Sequence, residues 1–339
     1  MRMPWRRRAH KDRLVVACSD EGFVYLQAEG ERILRCGMEM RGDSDPAAFA
    51  RRVRALGLSA PDVVAVLPLA DSQLLKIEAP AVPPEELKAA ARWRIKDLVD
   101  THLDDLTLDV MHVGDGRPRA QGQLFVVVAN SRRVRELGEW SHAARLDVAV
   151  VDIRETAQRN LQSALAAQRG QRGQASAALM LHGAQCLLTI CANGELFYAR
   201  RLEWRPEWIA APHAPAEAHH VDLMASGFAD LDIVDYSDAG SDGIETHDDT
   251  PPLVIELQRS LDLWERSWPD LPLKQLVVHA NGQTAALISL LEPVLPMEAV
   301  ALDVDSLFHG LDSAAGSQTV ASAATPLLGA LLRDGSRQL

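Results

Sequence analysis

Long hydrophobic runs are missing from this sequence of 339 residues. No stretch approaches the roughly 20 apolar residues that a bilayer-spanning helix needs. No apolar run follows the N-terminus as a signal peptide requires, so the expectation is a cytoplasmic chain. Aromatic residues are scarce at 5%, and 47 acidic side chains outnumber 35 basic ones, giving a net charge of -12 and a pI near 5.4. Nucleic acids are held by clustered Lys and Arg and by base stacking, so this composition argues against a nucleic-acid platform. Cysteine is limited to Cys18, Cys36, Cys186 and Cys191, with no CxxC pair. Scattered in apolar or alternating segments, they read as small buried hydrophobes of a reducing compartment.

What the chain does have is core-forming material. Hydrophobic residues make up 47% of it, and its length exceeds that at which single cores divide, so two domains or subdomains are expected. One local exception to the acidic balance is the start, where Arg2, Arg6, Arg7, Arg8, Lys11 and Arg13 surround Trp5. Such a segment is either a solvated terminus or a second, electrostatic attraction to an anionic membrane surface.

The hydropathy pattern alternates strands and helices. Leu14 to Cys18, Phe23 to Ala28 and Arg32 to Met40 read as three strands joined by acidic and glycine turns. Asp45-Pro46 opens a helix through Leu56, with Phe49, Ala50 and Val53 on one face. Strand Val63 to Leu67 follows, then an alternating segment from Gln73 to Ala79. Pro83-Pro84-Glu85-Glu86 has the marks of a helix start, since a first-turn Pro loses no hydrogen bond and the acids complement the dipole; this helix is expected to carry Trp93, Ile95 and Leu98. Strand Val148 to Asp152 and a helix to about Gln168 end in the polar linker Arg169 to Gln174. The second half repeats the plan: strands Ala178 to Leu181, Cys186 to Ala192 and Leu196 to Leu202, with Asn193-Gly194 as a hairpin signal. Helix Leu253 to Trp268, strand Leu276 to Ala280, helix Thr284 to Leu291, strand Ala299 to Leu302 and a last helix from about Val320 to Arg333 complete it.

The run Trp93-Arg94-Ile95-Lys96-Asp97-Leu98-Val99-Asp100, downstream of Leu74-Leu75-Lys76-Ile77-Glu78-Ala79-Pro80, is more particular. With Val150-Val151-Asp152-Ile153-Arg154-Glu155-Thr156-Ala157, Asn193-Gly194-Glu195-Leu196-Phe197-Tyr198 and Glu256-Leu257-Gln258-Arg259-Ser260-Leu261, it resembles the MshI branch of the PilM family, actin-like proteins of type IV pilus assembly. The resemblance implies an α/β, actin-like, duplicated two-lobed fold with an inserted subdomain of the PilM and FtsA type. The implied layout is a basic tail over 1–13, a first lobe from 14–72 and 146–172, the insertion over 73–145, and a second lobe over 173–339 containing a variable segment, 204–252. No sequence-level repeat is visible; the duplication is inferred from element order.

In that fold a nucleotide would lie between the lobes, each supplying a hairpin turn with a carboxylate to orient hydrated Mg²⁺ and a glycine to let backbone N–H groups approach phosphate. This sequence departs from the pattern. The first acid falls near Ala17 or Cys18, with Asp20 and Glu21 left at the hairpin tip. The second turn has His182-Gly183 in place of Asp-x-Gly, and Gly282 is one glycine of the usual adenosine-site pair. The expectation is a degenerate nucleotide site, no cofactor and no enzymatic activity.

The resemblance further implies a docking role beside the insertion for the cytoplasmic tail of a bitopic inner-membrane protein of the PilN or MshJ kind, with association at the inner membrane through that partner and a possible link to the pilus motor. Trp93, Arg94, Lys96, Asp97 and Asp100 are the candidate partner-binding residues. Trp93 with Ile95 and Leu98 would equally form a helix's buried face, and the charged neighbours its solvated side. His213, His219, His220 and Asp222, and likewise His247-Asp248-Asp249, lack metal-ligand spacing and read as loop residues. Trp264 and Trp268 with Leu257, Leu261 and Leu271 fit a packing stripe. Two alternatives stay open: an ATP-binding actin-like ATPase regulating pilus assembly, and a subunit of the related type II secretion platform.

Overall fold

A computed structural model describes residues 12–114, 122–171, 173–210 and 250–333. Residues 1–11 of the basic start, the groups His213, His219, His220, Asp222 and His247-Asp248-Asp249, and most of the 204–252 segment lie outside the described residues.

The first lobe is built on β1 (Asp12–Cys18), β2 (Gly22–Glu29) and β3 (Arg32–Met40), followed by helix α1 (Pro46–Ala55) and strand β4 (Asp62–Val66). Asp45 starts α1 as its sequence suggests: its carboxylate accepts from the Ala48 N–H at 2.8 Å and Pro46 follows it, satisfying one orphan donor of the first turn. The remaining elements in chain order are β5 (Ser72–Glu78), α2 (Leu87–Arg94), β6 (Leu106–His112), β7 (Gln123–Asn130), α3 (Ser131–Ala143), β8 (Val148–Asp152), α4 (Arg154–Gln168), β9 (Ala175–His182), β10 (Gln185–Ala192), β11 (Glu195–Glu203) and α5 (Glu207–Ala210). After them come α6 (Pro252–Ser267), β12 (Leu273–His279), α7 (Thr284–Leu291), β13 (Glu298–Ala301), α8 (Leu311–Ala315), α9 (Gln318–Ala324) and α10 (Leu328–Leu331).

Two five-stranded sheets share one topology. The first runs β3-β2-β1-β4-β8 and the second β11-β10-β9-β12-β13. In each, three antiparallel strands are followed by two parallel additions, β4 and β8 in one, β12 and β13 in the other. The element order read from the sequence is therefore a duplication in space. The Asn193-Gly194 turn holds both residues at positive φ, +54° and +83°, the conformation that a two-residue hairpin demands.

The layers follow from strand alternation. On one face of the first sheet, Leu14, Val16, Phe23, Val63 and Ala65 meet Phe49 and Val53 of α1 and the α3 region. On the other, Val15, Ala17, Leu26, Val64 and Val66 meet α4 and the C-terminal helices. The second sheet packs Leu179, Leu188, Ile190 and Val278 against Leu257, Leu261 and Trp264 of α6 and Leu287 of α7. Trp264, 1% exposed, with Phe197 edge-on at 5.8 Å, is core, as the stripe predicts. Between the sheets lie α4 and α10, which pack together, α10 on β1 and α4 beneath β9 and β10. The chain thus returns from the second lobe to finish the first. Arg13 of β1 fixes that return by donating to the carbonyls of Leu331 and Arg333, a cation on carbonyls that the end of α10 leaves unpaired.

A third sheet, β5-β7-β6, makes a separate layer. Leu124, Val126 and Val128 of β7 face Leu87, Ala91 and Ile95 near α2. Its opposite face turns Phe125, with Val113, onto Cys191 and Leu196 of the second lobe. The Gly114 N–H reaches the Leu196 carbonyl at 2.7 Å, and a side chain at Gly114, held at φ +70°, would stand 2.5 Å from the Phe197 ring. Helix α3, although within 73–145, packs on α1 of the first lobe.

Two helix expectations need correction. The helix after Pro83 does not reach Leu98: a 3-10 turn over Pro84–Glu86 precedes α2, and the latter ends at Arg94. Ile95 has ψ near 0°, and the i+3 bonds Lys96 N to Trp93 O and Leu98 N to Ile95 O replace the helical ladder. The last helix is interrupted too, because Pro326 has no N–H to give; a 3-10 turn over Thr325–Leu327 separates α9 from α10.

Candidate functional site

The turn Ser19 to Glu21 joins β1 and β2, on the first-lobe side of the cleft in which the resemblance places a nucleotide. Ala17 is buried and Cys18 half-buried at the end of β1. Burial pushes the Cys18 thiol up to about 11, against the pull of Arg41 and Arg133, so it is a protonated thiol at neutral pH. The hairpin acid Asp20 is engaged: Arg133 of α3 stands 3.4 Å from it and Arg41 3.7 Å, while Arg133 also meets Asp71 at 3.2 Å. The Asp20 side chain is 76% exposed, so these are surface ion pairs that set positive charge beside the acid.

Across the cleft, His182 and Gly183 form the β9–β10 turn, Gly183 at φ +66° with open space around it. Helix α4 supplies the floor. Its Gln158 amide donates to the carbonyls of Ala178 and Leu187 and to Thr189 Oγ1, each near 3.0 Å, and its Oε1 stands 3.4 Å from His182 Nε2. Burial holds the His182 imidazole well below its ordinary range, and the charge of Arg154 adds to this. His279, at the end of β12, is pressed down to about 4 by burial, partly offset by a hydrogen bond with Asn281. Both rings are neutral at pH 7. Gly282 lies in the turn that follows, where Asn281 takes φ +52°, a left-handed position that asparagine tolerates.

The lobes are joined directly by Arg201 of β11. Its guanidinium meets Glu155 at 2.8 Å and donates to the Leu69 carbonyl at 2.5 Å. Glu155 is only 1% exposed, so removing either partner would strand a buried charge. Leu69 sits in the short connection that leads into β5, and its neighbour Asp71 pairs with Arg133. Two ion-pair groups, Arg201 with Glu155 and Arg133 with Asp71 and Asp20, are thus linked through the backbone of Leu69 to Asp71. Among the described residues no group of three or more His, Cys, Asp or Glu side chains is placed to hold a metal ion.

The proposed partner-binding residues lie apart from this cleft. Trp93 is 71% exposed at the end of α2, and Arg94, Lys96, Asp97 and Asp100 are exposed around it. Ile95 is fully buried and Leu98 half-buried. The helix's buried face is thus Leu87, Ala91 and Ile95, and Trp93 stands outside it.

Sequence reading passed over Arg154, Glu155 and Arg201 as a functional group. A signal was available in Arg154, which occupies the first position of α4, where a cation opposes the helix dipole. The partners of Arg201 are 46 and 132 residues away in the chain, beyond any local pattern.

No protein-family model matches the chain, and no curated protein matches it by sequence. Among solved structures it is similar to a chain of the PilM-PilN type IV pilus biogenesis complex, at 16% identity over 96% of this chain and 100% of that one, with a TM-score of 0.65. It is also similar to the cytoplasmic domain of EpsL, an inner membrane component of the type II secretion system of Vibrio cholerae (14% identity, 57% of this chain and 71% of that one, TM-score 0.42). A third is a Bacteroides thetaiotaomicron protein of unknown function with an actin-like ATPase fold (9% identity, 91% and 96%, TM-score 0.47). The duplicated sheets and the first of these matches show an actin-like, two-lobed α/β fold.

Proposed function

We propose that this chain is a scaffold at the cytoplasmic face of a bacterial inner membrane, in the assembly platform of a type IV pilus, and that it works by docking. The proposed partner is the cytoplasmic tail of a bitopic PilN-like protein. The finer version of the reading places the chain in the MshI branch, with an MshJ-like partner in a pilus of the mannose-sensitive haemagglutinin type. The observation that carries it is the likeness, from end to end of both chains, to a member of the PilM-PilN complex. That span takes in the inserted sheet as well as the lobes. Among the described residues no helix is long and apolar enough to cross a membrane, so membrane attachment in this reading is borrowed from the partner, with the basic start as a second attraction.

The chemistry of the two candidate sites supports docking over hydrolysis. The hairpin acid Asp20 has two guanidinium groups beside it, where a magnesium ion would meet repulsion, and a histidine stands where the second acid would be. On the inserted layer, by contrast, an exposed indole is ringed by charges of both signs. An aromatic anchor of this kind buries up to ~250 Å² on docking, and such anchors dominate binding energy in small interfaces. Engagement of the tail would couple the membrane partner to whatever the lobes contact, including the pilus motor.

The reading is tested by expressing the chain with a membrane protein of the PilN kind, with and without its cytoplasmic tail, and separating membranes from cytosol. The chain should follow the membranes only when the tail is present. Equal recovery without the tail would overturn the docking model.

A further inference from the structure

The cleft contains a charge that the fold balances only in part. Arg154 opens the 15-residue helix α4; its Nη1 is enclosed and has no hydrogen-bond partner. Its neighbour Glu155 attracts it, but Glu155 is shared with Arg201. The remaining Glu155 oxygen, Oε2, is itself enclosed and unpartnered. Two guanidinium groups and one carboxylate leave one positive charge in excess. Although burial lowers the Arg154 guanidinium to about 10, it stays charged at neutral pH. A largely enclosed charge with only a shared counter-ion favours the arrival of an anion.

The groups around it are donors from three separate elements. Arg154 lies one helical turn before Gln158, whose Oε1 stands 3.4 Å from His182 Nε2, so guanidinium and imidazole share the same end of the helix. His279 pairs in register with Met180, two residues before His182 on β9. Its Nε2 is enclosed and unpartnered. His182 and His279 stand at the carboxyl ends of the parallel strands β9 and β12, and Arg154 opens α4, whose first N–H groups lie where open α/β sheets receive ligands. Ile153, which caps α4, gives those N–H groups no side-chain acceptor, and the buried Asp152 carboxylate before it accepts from the Ile153 N–H and the Thr156 hydroxyl instead. Arg154, His182 and His279 each keep part of their surface in solvent, so the place is reached from outside.

We propose that this cleft binds a small oxyanion directly, without a metal, between Arg154, His182 and His279. The polarity is the reverse of a magnesium–nucleotide site, in which carboxylates hold the cation: here the protein supplies the positive charge and the ligand the negative. A phosphoryl group and a carboxylate both match the fork of a guanidinium and the N–H of a neutral imidazole. The inference is independent of docking at Trp93.

The test is a titration of the full chain, in buffer containing a magnesium chelator, with inorganic phosphate, then with citrate, then with ATP, following the ring-proton resonances of His182 and His279 by NMR. Phosphate or citrate should give a saturable shift of both rings. The preferred anion assigns phosphoryl or carboxylate, and a response to ATP alone assigns a nucleotide's phosphates held without magnesium. In Arg154→Gln the midpoint should weaken by at least about tenfold. Should that variant fail to fold by circular dichroism, Arg154→Lys keeps the charge without the fork and should weaken binding by a smaller factor. The proposal is overturned if no oxyanion gives a saturable shift, if the midpoint is unchanged in the variant that folds, or if binding appears only after magnesium is added.

Discussion

Gly329 of α10 lies so close to Ala157 of α4 that a Cβ built on the glycine would stand 2.6 Å from the Ala157 carbonyl carbon and 3.1 Å from the Leu161 nitrogen. Asn160 reinforces the crossing by donating to the Gly329 carbonyl at 3.1 Å. The two helices occupy the space between the sheets, so this backbone contact sets the spacing of the lobes. Gly329→Ala should therefore lower stability by about 1–3 kcal/mol through overpacking, even though alanine is the better helix former. Gly138→Ala, inside α3 with open space around it, should do the opposite and gain about 0.5–1 kcal/mol. Urea unfolding of both variants checks the pair; equal effects would mean that the crossing is not tight.

The Arg201 bridge gives a second expectation. Arg201→Met keeps most of the side chain's bulk but leaves the buried Glu155 carboxylate without its ion pair, a loss of about 3–5 kcal/mol for a fully buried pair, discounted here because Arg201 is 25% exposed. Replacing Glu155 by Gln in the same chain should recover part of it. Hydrogen exchange supplies the local readout. Amides of residues 69–71 and the start of α4 should exchange faster in the single variant. Unchanged exchange there would show that Arg201 does not hold the lobes together.

Much of this fold was written in local pattern. Asp45-Pro46 marked a helix start with a side-chain cap, Asn193-Gly194 marked a hairpin, and alternation along Leu14 to Met40 gave three strands at nearly their final bounds. The duplication was legible as element order, although no repeated residues betray it. Where reading failed, the deciding interaction was distant or subtle. Helix α3 went unassigned because only Ser141 is fully buried along it, although it packs on α1 and on β6, β7 and β8. The early end of α2 depends on turns beyond Arg94 and on Arg92 donating to the Leu106 carbonyl at 3.1 Å. The candidate cleft was read from what it lacks, the two acids. The residues that fill it instead, Arg133 with Asp20 and Arg201 with Glu155, come together only through the tertiary fold.

Acid should weaken the fold through the cleft histidines. His279 is lowered to about 4, and His182 is held well below its ordinary value by burial and then by Arg154, His279 and Arg201. Unfolded, each ring titrates near ~6.5. Below that pH the unfolded chain takes up protons that the folded chain refuses, so stability is full above the unfolded value and falls as pH drops. For His279 the loss accumulates down to its folded value, about 3 kcal/mol in all. Carboxylates contribute in the same window, so the informative quantity is a difference. His279→Gln should show a shallower decline of urea-unfolding stability from pH 7 to pH 4.5 than the native chain; parallel curves would remove His279 from the account.

Trp93 separates binding from folding. Its indole is 71% exposed, while Ala91 and Ile95 on either side are fully buried, so Trp93→Ala removes an anchor without opening the core. Surface substitutions of this kind change stability by no more than about 0.5 kcal/mol. If the docking reading holds, the same change should cost at least about 2 kcal/mol of affinity for a PilN-like cytoplasmic tail, roughly thirtyfold in the dissociation constant. Reversing the charges at Lys96 or Asp97 should act more weakly, through the salt dependence of association, because exposed rim charges contribute little once screened. Titration of the labelled tail with each variant, alongside thermal unfolding of the same samples, distinguishes the cases. A tail that binds Trp93→Ala as tightly as the native chain would move the interface off α2, and a matching loss of fold stability would return the indole to a structural role.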